Sequence, residues 1–406
     1  MRNIELLAPA NNIETLKIAC IFGADAVYIG GANFGLRAAA KNFTDEELKE
    51  AINYAHSLNK KVFITINIYA NNSDIDGIKD YLNNLNNIKP DAVIISDLGV
   101  FKLAKNILKD IELHISTQAN TTNYEAFNFY YELGASRVVA ARELSLNELK
   151  EIREKIPNNK KIEAFIHGSM CISYSGRCLL SSYFTHKSAN KGLCTHPCRW
   201  NYYLVEETRP NEYMPIYEDE RGTYIFNSKD LCMINHIDDM INSGIDSFKI
   251  EGRMKNALYV ATVVKAYRNA IDDYLKDPKI YNNNKDNYMK YIKNCTYREF
   301  TTGFYYQKPD EFSQIYDNNT YSKGKTFLGI IYHDENGYYI YQKNKFSVND
   351  EVEILTFDKI INNKIIDMFD ENNNHIDACP RPNEKIYIKF ENDNEINDYN
   401  ILMMNV

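Results

Sequence analysis

The chain has 406 residues, of which 44% are hydrophobic and 25% are charged, which is typical of a globular protein and long enough for two domains. Its formal net charge of −8 excludes a broadly basic surface, so the composition does not favour a nucleic-acid-binding protein. No apolar run reaches about 18 residues, and the N-terminus lacks the apolar core of a signal peptide. We therefore expect a cytoplasmic protein whose partners include neither a membrane nor DNA.

Residues 1–278 alternate short apolar runs with amphipathic helices, such as the helix that Thr44 and Glu47 predict by forming a capping box. The apolar runs are continuous, as in buried parallel strands. They predict eight strands, at residues 4–8, 26–30, 62–67, 92–96, 112–117, 137–141, 161–167 and 247–251. Eight strand–helix units predict an α/β fold, a TIM-like (β/α)8 barrel. A doubly wound open sheet is the alternative, but no GxGxxG motif follows the first strand.

A long cysteine-bearing loop, residues 168–232, follows the seventh predicted strand. Connections of this length inside a compact domain are usually functional. The loop leaves from the carboxyl end of a strand, and this is the end of a TIM barrel that carries the active site. The sequence therefore places the candidate active site at this mouth of the barrel.

Beyond residue 278 the sequence pattern changes twice. Residues 279–320 are rich in Asn and Tyr and predict an irregular connector. Residues 321–406 carry short alternating runs, with a hairpin turn at Asn336 and Gly337, and predict a small antiparallel β-domain. This domain has nine basic and 15 acidic residues, so it offers a poor surface for phosphate groups.

Five of the eight cysteines lie within the long loop: Cys171, Cys178, Cys194, Cys198 and Cys232. Thiols stay reduced in the cytoplasm, so this grouping indicates a metal site or redox chemistry rather than disulfides. The C-x2-C knuckles of zinc ribbons and the C-x3-C-x2-C motif of radical-SAM enzymes are both absent. Four thiolates from an irregular loop suit a [4Fe–4S] cluster, with zinc as the alternative and with either Cys194 or Cys198 as a ligand. The remaining cysteines are expected to be small buried hydrophobic residues: Cys20, Cys295 and Cys379.

The ends of the predicted strands should bring polar side chains to the mouth of the barrel. The candidate catalytic groups are His167, Glu251 and Gln118. His167 is either an acid–base group or a satisfied hydrogen-bond donor, and Glu251 either acts on a substrate or pairs with Arg253. The candidate substrate-binding groups are Arg37, Asn67, Arg253 and Lys255. The cations among them could hold a carboxylate or a phosphate.

Several specific motifs surround these residues: EAFIHGSMCISYSGRCLLSSYFT, CTHPCRW, FNSKDLC and KIEGRMK, with LLAPA, GADAVYIGG and LRAAAKNF nearer the N-terminus. They resemble the collagenase-like peptidase family of unknown catalytic type, peptidase family U32, over about residues 4–276. The resemblance implies that the cluster ligands are Cys171, Cys178, Cys194 and Cys232. Cys198 is a possible substitute for the third of these ligands.

The family name implies proteolysis, whereas the better-understood members are iron–sulfur proteins that hydroxylate nucleobases or quinones without molecular oxygen. The length and two-domain layout resemble the branch that makes 5-hydroxyuridine at the wobble position of tRNA. That resemblance implies a tRNA substrate, prephenate as a small carboxylate that donates the hydroxyl, and an electron donor. The alternatives are a protease with a Cys–His pair, a 23S rRNA cytidine hydroxylase and a zinc-stabilised scaffold without activity.

Overall fold

Eight parallel strands close into a barrel in the first two thirds of the chain. The computed structural model describes residues 4–31, 34–36, 42–171, 173–200, 218–219, 222–223, 229–307, 322–379 and 381–406. The first seven barrel strands are β1 (Glu5–Pro9), β2 (Ala26–Ile29), β3 (Lys61–Ile66), β4 (Ala92–Ile95), β5 (Glu112–Ile115), β6 (Arg137–Val139) and β7 (Lys161–Ser169). The eighth barrel strand is β11 (Ser247–Ile250). Three short strands precede it: β8 (Glu218–Asp219), β9 (Gly222–Thr223) and β10 (Asp230–Cys232).

The pairing of these strands confirms the predicted TIM-like barrel. Each strand from β1 to β7 pairs in parallel with the next, and β11 pairs with both β1 and β7, which closes the sheet on itself. All eight predicted strands are present, with ends that differ by at most two residues. Their apolar runs are continuous because one face fills the barrel interior while the other is covered by helices.

Ten helices occur in the described part of the chain: α1 (Ile13–Ile21), α2 (Asp45–Ser57), α3 (Ile75–Ile88), α4 (Leu98–Ile107), α5 (Tyr124–Glu132), α6 (Leu146–Lys155), α7 (Leu180–Thr185), α8 (Ile237–Asn242), α9 (Ala257–Lys276) and α10 (Pro278–Ile292). The predicted capping box begins α2, because the Thr44 hydroxyl accepts from the Glu47 N–H at 3.2 Å and the Glu47 carboxylate accepts from the Thr44 N–H at 2.9 Å. None of the helices in the described ranges combines the length and the apolar character that crossing a lipid bilayer requires.

The long loop returns to the strand that it left. Strand β10 pairs antiparallel with the carboxyl end of β7, which sets Cys232 opposite His167. Two further short strands follow α10, β12 (Thr296–Tyr297) and β13 (Phe300–Thr301), and β13 pairs with β10. A buried ion pair fixes this arrangement, since Arg298 Nε and Nη2 donate to Asp230 Oδ1 at 3.0 and 2.6 Å. The sequence did not predict β10, which is only three residues long.

The prediction of an irregular connector at residues 279–320 is wrong for its first part, which α10 occupies. Asp277 caps this helix, and Pro278 at its first position supplies a preset φ angle. Tyr281, Tyr288 and Ile292 recur at helical spacing and are buried. The abundant asparagines, which favour turns, concealed this periodicity in the sequence.

A seven-stranded antiparallel sheet forms the predicted C-terminal β-domain. Its described region contains β14 (Ser322–Lys323), β15 (Lys325–Ile330), β16 (Tyr332–Asp334), β17 (Gly337–Tyr341), β18 (Glu351–Leu355), β19 (Ile360–Phe369), β20 (Lys385–Phe390) and β21 (Ile401–Asn405). The sheet order is β15-β21-β18-β19-β20-β17-β16. The predicted hairpin joins β16 to β17, and Gly337 adopts the φ of +117° that this turn requires.

Four charged side chains form a chain of ion pairs inside the barrel. Arg137 Nη1 donates to Glu5 Oε1 at 2.6 Å and to Glu163 Oε2 at 2.8 Å. Lys249 Nζ donates to Glu163 Oε1 at 2.7 Å. Burial raises the pKa of Glu163, but the charges of Lys249 and Arg137 outweigh this effect and lower it to about 2. Glu163 is therefore a carboxylate in the folded protein and is shared by two cations.

Replacing Glu163 with Gln should destabilise the fold because Arg137 and Lys249 would lose the carboxylate that they share. Removing one partner of a buried ion pair costs about 3–5 kcal/mol. Urea unfolding followed by circular dichroism measures the loss. Glu151→Gln is the control, since Glu151 and Lys155 form an exposed pair on α6 whose loss should leave the midpoint unchanged. Equal midpoints for Glu163→Gln and the unchanged protein would contradict this role of Glu163.

The pH dependence of stability should report on His114, which is fully buried in the barrel interior. Burial, assisted by the charge of Arg137, lowers the pKa of His114 to about 4. An unfolded histidine takes up its proton near pH ~6.5, so between that pH and about 4 the unfolded chain binds more protons than the folded chain. The free energy of unfolding should therefore decrease as the pH falls through this range. Urea midpoints at several pH values measure the decrease, and an equally steep decrease in His114→Gln would exclude this histidine as its source.

Candidate active site at the mouth of the barrel

A cleft opens at the carboxyl ends of the barrel strands. The lining of this mouth cleft includes six residues with a charged or amide side chain: Asn67, Gln118, Arg142, Lys249, Glu251 and Arg253. Four of them are predicted site residues, which come from the ends of β3, β5 and β11 and the loops that follow. The structure thus brings Asn67, Gln118, Glu251 and Arg253 together, as the strand-end argument requires.

Arg253 builds one wall of the mouth cleft. Its Nη1 donates to Leu36 O at 2.8 Å and to Thr65 Oγ1 at 3.1 Å, and its Nη2 donates to Asn42 Oδ1 at 2.9 Å. A glycine at position 30 makes this possible, because a Cβ on Gly30 would lie 2.1 Å from Arg253 Nη2. The guanidinium therefore holds Leu36 and Asn42 beside the cleft, and substrate binding by Arg253 stays a prediction.

Two neutral amides offer a donor and an acceptor in the cleft. Asn67 Oδ1 accepts from the Leu36 N–H at 3.1 Å, which leaves the Asn67 NH₂ group as a donor. Gln118 Oε1 is buried and has no hydrogen-bond partner among the described residues. A buried acceptor without a partner is costly, so a ligand that donates to Gln118 would relieve that cost. Glu251 is half-buried at the end of β11 and adds a carboxylate to the same lining.

Lys249 also lines the mouth cleft, although it was not predicted as a site residue. The residue is 5% exposed, and Nζ lies 4.4 Å from the ring centroid of Tyr28 and 5.5 Å from that of Phe165. Burial lowers the pKa of Lys249, while the carboxylate of Glu163 opposes that change. The signal in the sequence was a single lysine inside the short buried strand SFKI.

The cysteine segment, residues 168–200, lies against the loops that follow β3 and β5. Asn190 O accepts from the Tyr69 N–H at 3.3 Å, and the Arg177 guanidinium lies 5.4 Å from the Tyr69 ring centroid. The Tyr69 hydroxyl donates to Gln118 O at 2.5 Å, which ties these contacts to the cleft. Gly176 is close enough that an added Cβ would lie 2.9 Å from the Tyr69 ring. The segment is therefore held at the mouth of the barrel.

Arg142 connects the mouth cleft to the cysteine segment. Its Nη1 donates to Ser169 O at 2.9 Å, and its Nη2 donates to Ser175 Oγ at 2.7 Å. The same Nη2 lies 3.8 Å from Cys171 Sγ. Because the guanidinium also lies 5.0 Å from the Phe165 ring centroid and lines the cleft, Cys171 is at the rim of the candidate site.

All eight cysteines lie in the described part of the chain and carry thiols outside any disulfide. The five predicted as candidate ligands differ in exposure, with Cys171 exposed, Cys178, Cys194 and Cys198 half-buried, and Cys232 buried. Burial raises the pKa of Cys232 to about 11, and its sulfur accepts from the Tyr267 hydroxyl at 3.8 Å. The other three are buried, as predicted: Cys20, Cys295 and Cys379.

The cysteines fit an iron–sulfur cluster by their chemistry, since thiolates are the ligands of such clusters, and two of them, Cys171 and Cys232, lie at the carboxyl end of β7. Their arrangement is not that of a closed metal site. Within the described ranges, no three His, Cys, Asp or Glu side chains are gathered closely enough to hold a metal ion. The ligand set stays a prediction.

Three predicted site residues are not part of the cleft lining. His167 is 2% exposed, and its Nδ1 lies 3.3 Å from the Tyr267 hydroxyl. Burial lowers the pKa of His167 to about 4, which keeps the ring neutral. Lys255 Nζ lies 5.0 Å from the Tyr259 ring centroid. Arg37 lies outside the described residues.

Comparison with known protein families matches residues 11–314 to peptidase family U32 and residues 323–402 to the peptidase family U32 C-terminal domain. The chain is 39% identical to tRNA hydroxylation protein P1 of Bacillus subtilis, over 98% of this chain and 94% of that protein. It is 33% identical to tRNA hydroxylation protein P of Escherichia coli, over 99% of this chain and 96% of that protein.

A third relative is the 23S rRNA 5-hydroxycytidine C2501 synthase of Escherichia coli, which is 34% identical over 68% of this chain and 40% of that protein. The first two relatives match this chain almost from end to end, and the family profiles match both of its domains. By these matches the chain is a member of peptidase family U32.

Proposed function

We propose that the chain is an RNA-modifying enzyme that hydroxylates tRNA. The observation that carries this proposal is the similarity to proteins named for tRNA hydroxylation, which extends over 98% of the chain and includes both domains. A 23S rRNA cytidine is the alternative substrate. It is less favoured because the chain spans only 40% of the rRNA synthase that it resembles.

The finer proposal is that wobble uridine becomes 5-hydroxyuridine without molecular oxygen, with prephenate as the hydroxyl donor. Atoms and electrons balance if the C5–H bond of uridine becomes C5–OH while prephenate exchanges its hydroxyl for hydrogen. The charge of the lining supports a small carboxylate at this site. The mouth cleft is lined by three cations, Arg142, Lys249 and Arg253, against the single carboxylate of Glu251.

The proposed cofactor is a [4Fe–4S] cluster held by Cys171, Cys178, Cys194 and Cys232, with Cys198 as a possible substitute for Cys194. When bound, such a cluster would transfer electrons or polarise a substrate, and a separate electron donor would set its oxidation state. The contact between Arg142 and Cys171 supports a cluster next to the mouth cleft rather than in a distant part of the fold.

The polar residues of the cleft have distinct proposed roles. The Asn67 NH₂ group and Gln118 Oε1 are a donor and an acceptor for the polar edge of a bound base. Glu251 is the carboxylate in the cleft and can take a proton from the substrate. Arg253 orders the wall on which these groups are presented.

Proteolysis is the second candidate function, and the family description is the observation in its favour. The strand pairing sets one cysteine beside one histidine, Cys232 opposite His167. These residues are only 6% and 2% exposed, so a peptide carbonyl could not reach them without a rearrangement. A thiol peptidase would therefore need a cysteine and a histidine from elsewhere in the cysteine segment.

The RNA activity can be tested in an Escherichia coli strain that lacks its own tRNA hydroxylation protein P. Expression of the chain should restore 5-hydroxyuridine in digested tRNA, as measured by liquid chromatography and mass spectrometry. Glu251→Gln should lower the yield at least tenfold if this carboxylate accepts the proton, at equal protein level. A well-expressed chain that restores no 5-hydroxyuridine would refute the proposal. Gain of 5-hydroxycytidine in 23S rRNA would favour the rRNA alternative, and gelatin cleavage would favour the peptidase.

Anaerobic purification with iron, sulfide and zinc analysis tests the cofactor. The unchanged chain should hold about four irons and four sulfides, and Cys171→Ala, Cys178→Ala and Cys232→Ala should each lose most of the iron. Comparison of Cys194→Ala with Cys198→Ala identifies the remaining ligand. Cys379→Ala is the matched control, because Cys379 is buried in the β-domain and should leave the iron content unchanged. Stoichiometric zinc without iron would favour the scaffold alternative.

A further inference from the structure

The floor of the mouth cleft is occupied by Lys249, whose ammonium carries three N–H donors. Within the described residues it has one hydrogen-bond acceptor, Glu163 Oε1 at 2.7 Å. The rings of Tyr28 and Phe165 lie beside it and accept no conventional hydrogen bond there. A buried ammonium with donors left over, on the surface of a cleft, is a binding group for an acceptor that the protein does not itself supply.

The charge around Lys249 also favours an anion. Glu163 divides its negative charge between Lys249 and Arg137, and Arg137 is further paired with Glu5. These four charges balance, so the arginines of the lining supply the excess of positive charge at the cleft. Arg142, on the same lining, adds a second cation.

The two arginines of the cleft differ from Lys249 in their hydrogen-bond partners. Both Nη atoms of Arg253 donate to the protein, and so do both Nη atoms of Arg142. Each arginine thereby fixes a neighbouring loop. Lys249 fixes no loop, because its hydrogen-bond partner Glu163 lies within the barrel.

We propose that Lys249 is the residue that binds a carboxylate group of the small-molecule co-substrate at the floor of the mouth cleft, with Arg142 as the second cation at its rim. This inference rests on the proposed function and replaces Arg253 and Lys255 as the main anion-binding residues. The depth of Lys249 favours a small ligand over an RNA phosphate. Lys249 precedes Glu251 by two residues along β11, which sets it about 6–7 Å deeper in the barrel. A phosphodiester that is flanked by nucleosides on both sides cannot reach that floor.

Isothermal titration calorimetry with prephenate tests the proposal on the full-length chain. Lys249→Gln should weaken prephenate binding at least tenfold, because a charge-assisted hydrogen bond is lost. Lys160→Gln is the matched control. Lys160 also lies near a tyrosine ring, 5.4 Å from the centroid of Tyr131, but it is bonded to Ala135 O and is distant from the cleft lining. The Lys160→Gln variant should bind prephenate with the same affinity as the unchanged chain.

Each outcome decides for or against the proposal. Binding by a folded Lys249→Gln within twofold of the unchanged chain would overturn it, and so would the absence of prephenate binding to the unchanged chain. Displacement of prephenate by an equal concentration of inorganic phosphate would assign the site to phosphate and overturn the carboxylate. If Lys249→Gln does not fold, a crystal structure of the unchanged chain with prephenate decides, since the carboxylate must lie within hydrogen-bond distance of Lys249 Nζ.

The tRNA nucleoside measurement separates this inference from the proposed function. Restored 5-hydroxyuridine together with unchanged prephenate binding by Lys249→Gln would refute the role of Lys249 and leave tRNA hydroxylation standing. Absence of 5-hydroxyuridine together with a tenfold loss of binding in Lys249→Gln would refute the RNA activity and support the carboxylate site.

Discussion

The barrel depends on a requirement that no charge in its interior stands alone. Glu5, Arg137, Glu163 and Lys249 come from four different strands, and together they balance two positive with two negative charges. An isolated ion in such a place would cost several kcal/mol, so the strands must bring the four side chains together. Lys249, at one end of this chain of ion pairs, also lines the mouth cleft. The arrangement that stabilises the closed sheet therefore also gives the candidate site its cationic base.

The second organising feature is the return of the cysteine segment to β7. Strand β10 pairs with the end of β7, and the buried pair of Asp230 with Arg298 holds it there. Cys171 and Cys232 are thereby brought to the same end of one strand, although sixty residues separate them. Arg142 contacts Cys171 and lines the cleft, so the proposed cofactor ligands and the proposed substrate groups share one wall.

The eight barrel strands could be predicted because each is a continuous apolar run, and the hairpin at Gly337 because its turn needs a positive φ. Strand β10 could not be predicted, because three residues are too few to show an alternation of apolar and polar side chains. Its pairing partner, β7, is also distant in the sequence. Helix α10 was not predicted, because asparagines favour turns and obscure the helical spacing of its apolar residues. Asn67, Gln118, Glu251 and Arg253 could be placed at the mouth because they follow the carboxyl ends of strands, and only the direction of the strands is needed for that. Lys249 could not, because a lysine inside a buried strand becomes a cleft residue only when the barrel closes around it.

The pairing of β10 with β7 has a consequence for how this site can change. Because the chain leaves the barrel and re-enters it at adjacent positions, the two ends of the connection between them stay close whatever its length. The entropy of closing such a loop grows only with the logarithm of its length, at about 0.6 kcal/mol for each doubling. A change in the number of residues between β7 and β10 therefore has a small effect on the stability of the barrel. Selection can alter what the mouth accepts through this connection while the charged interior stays the same.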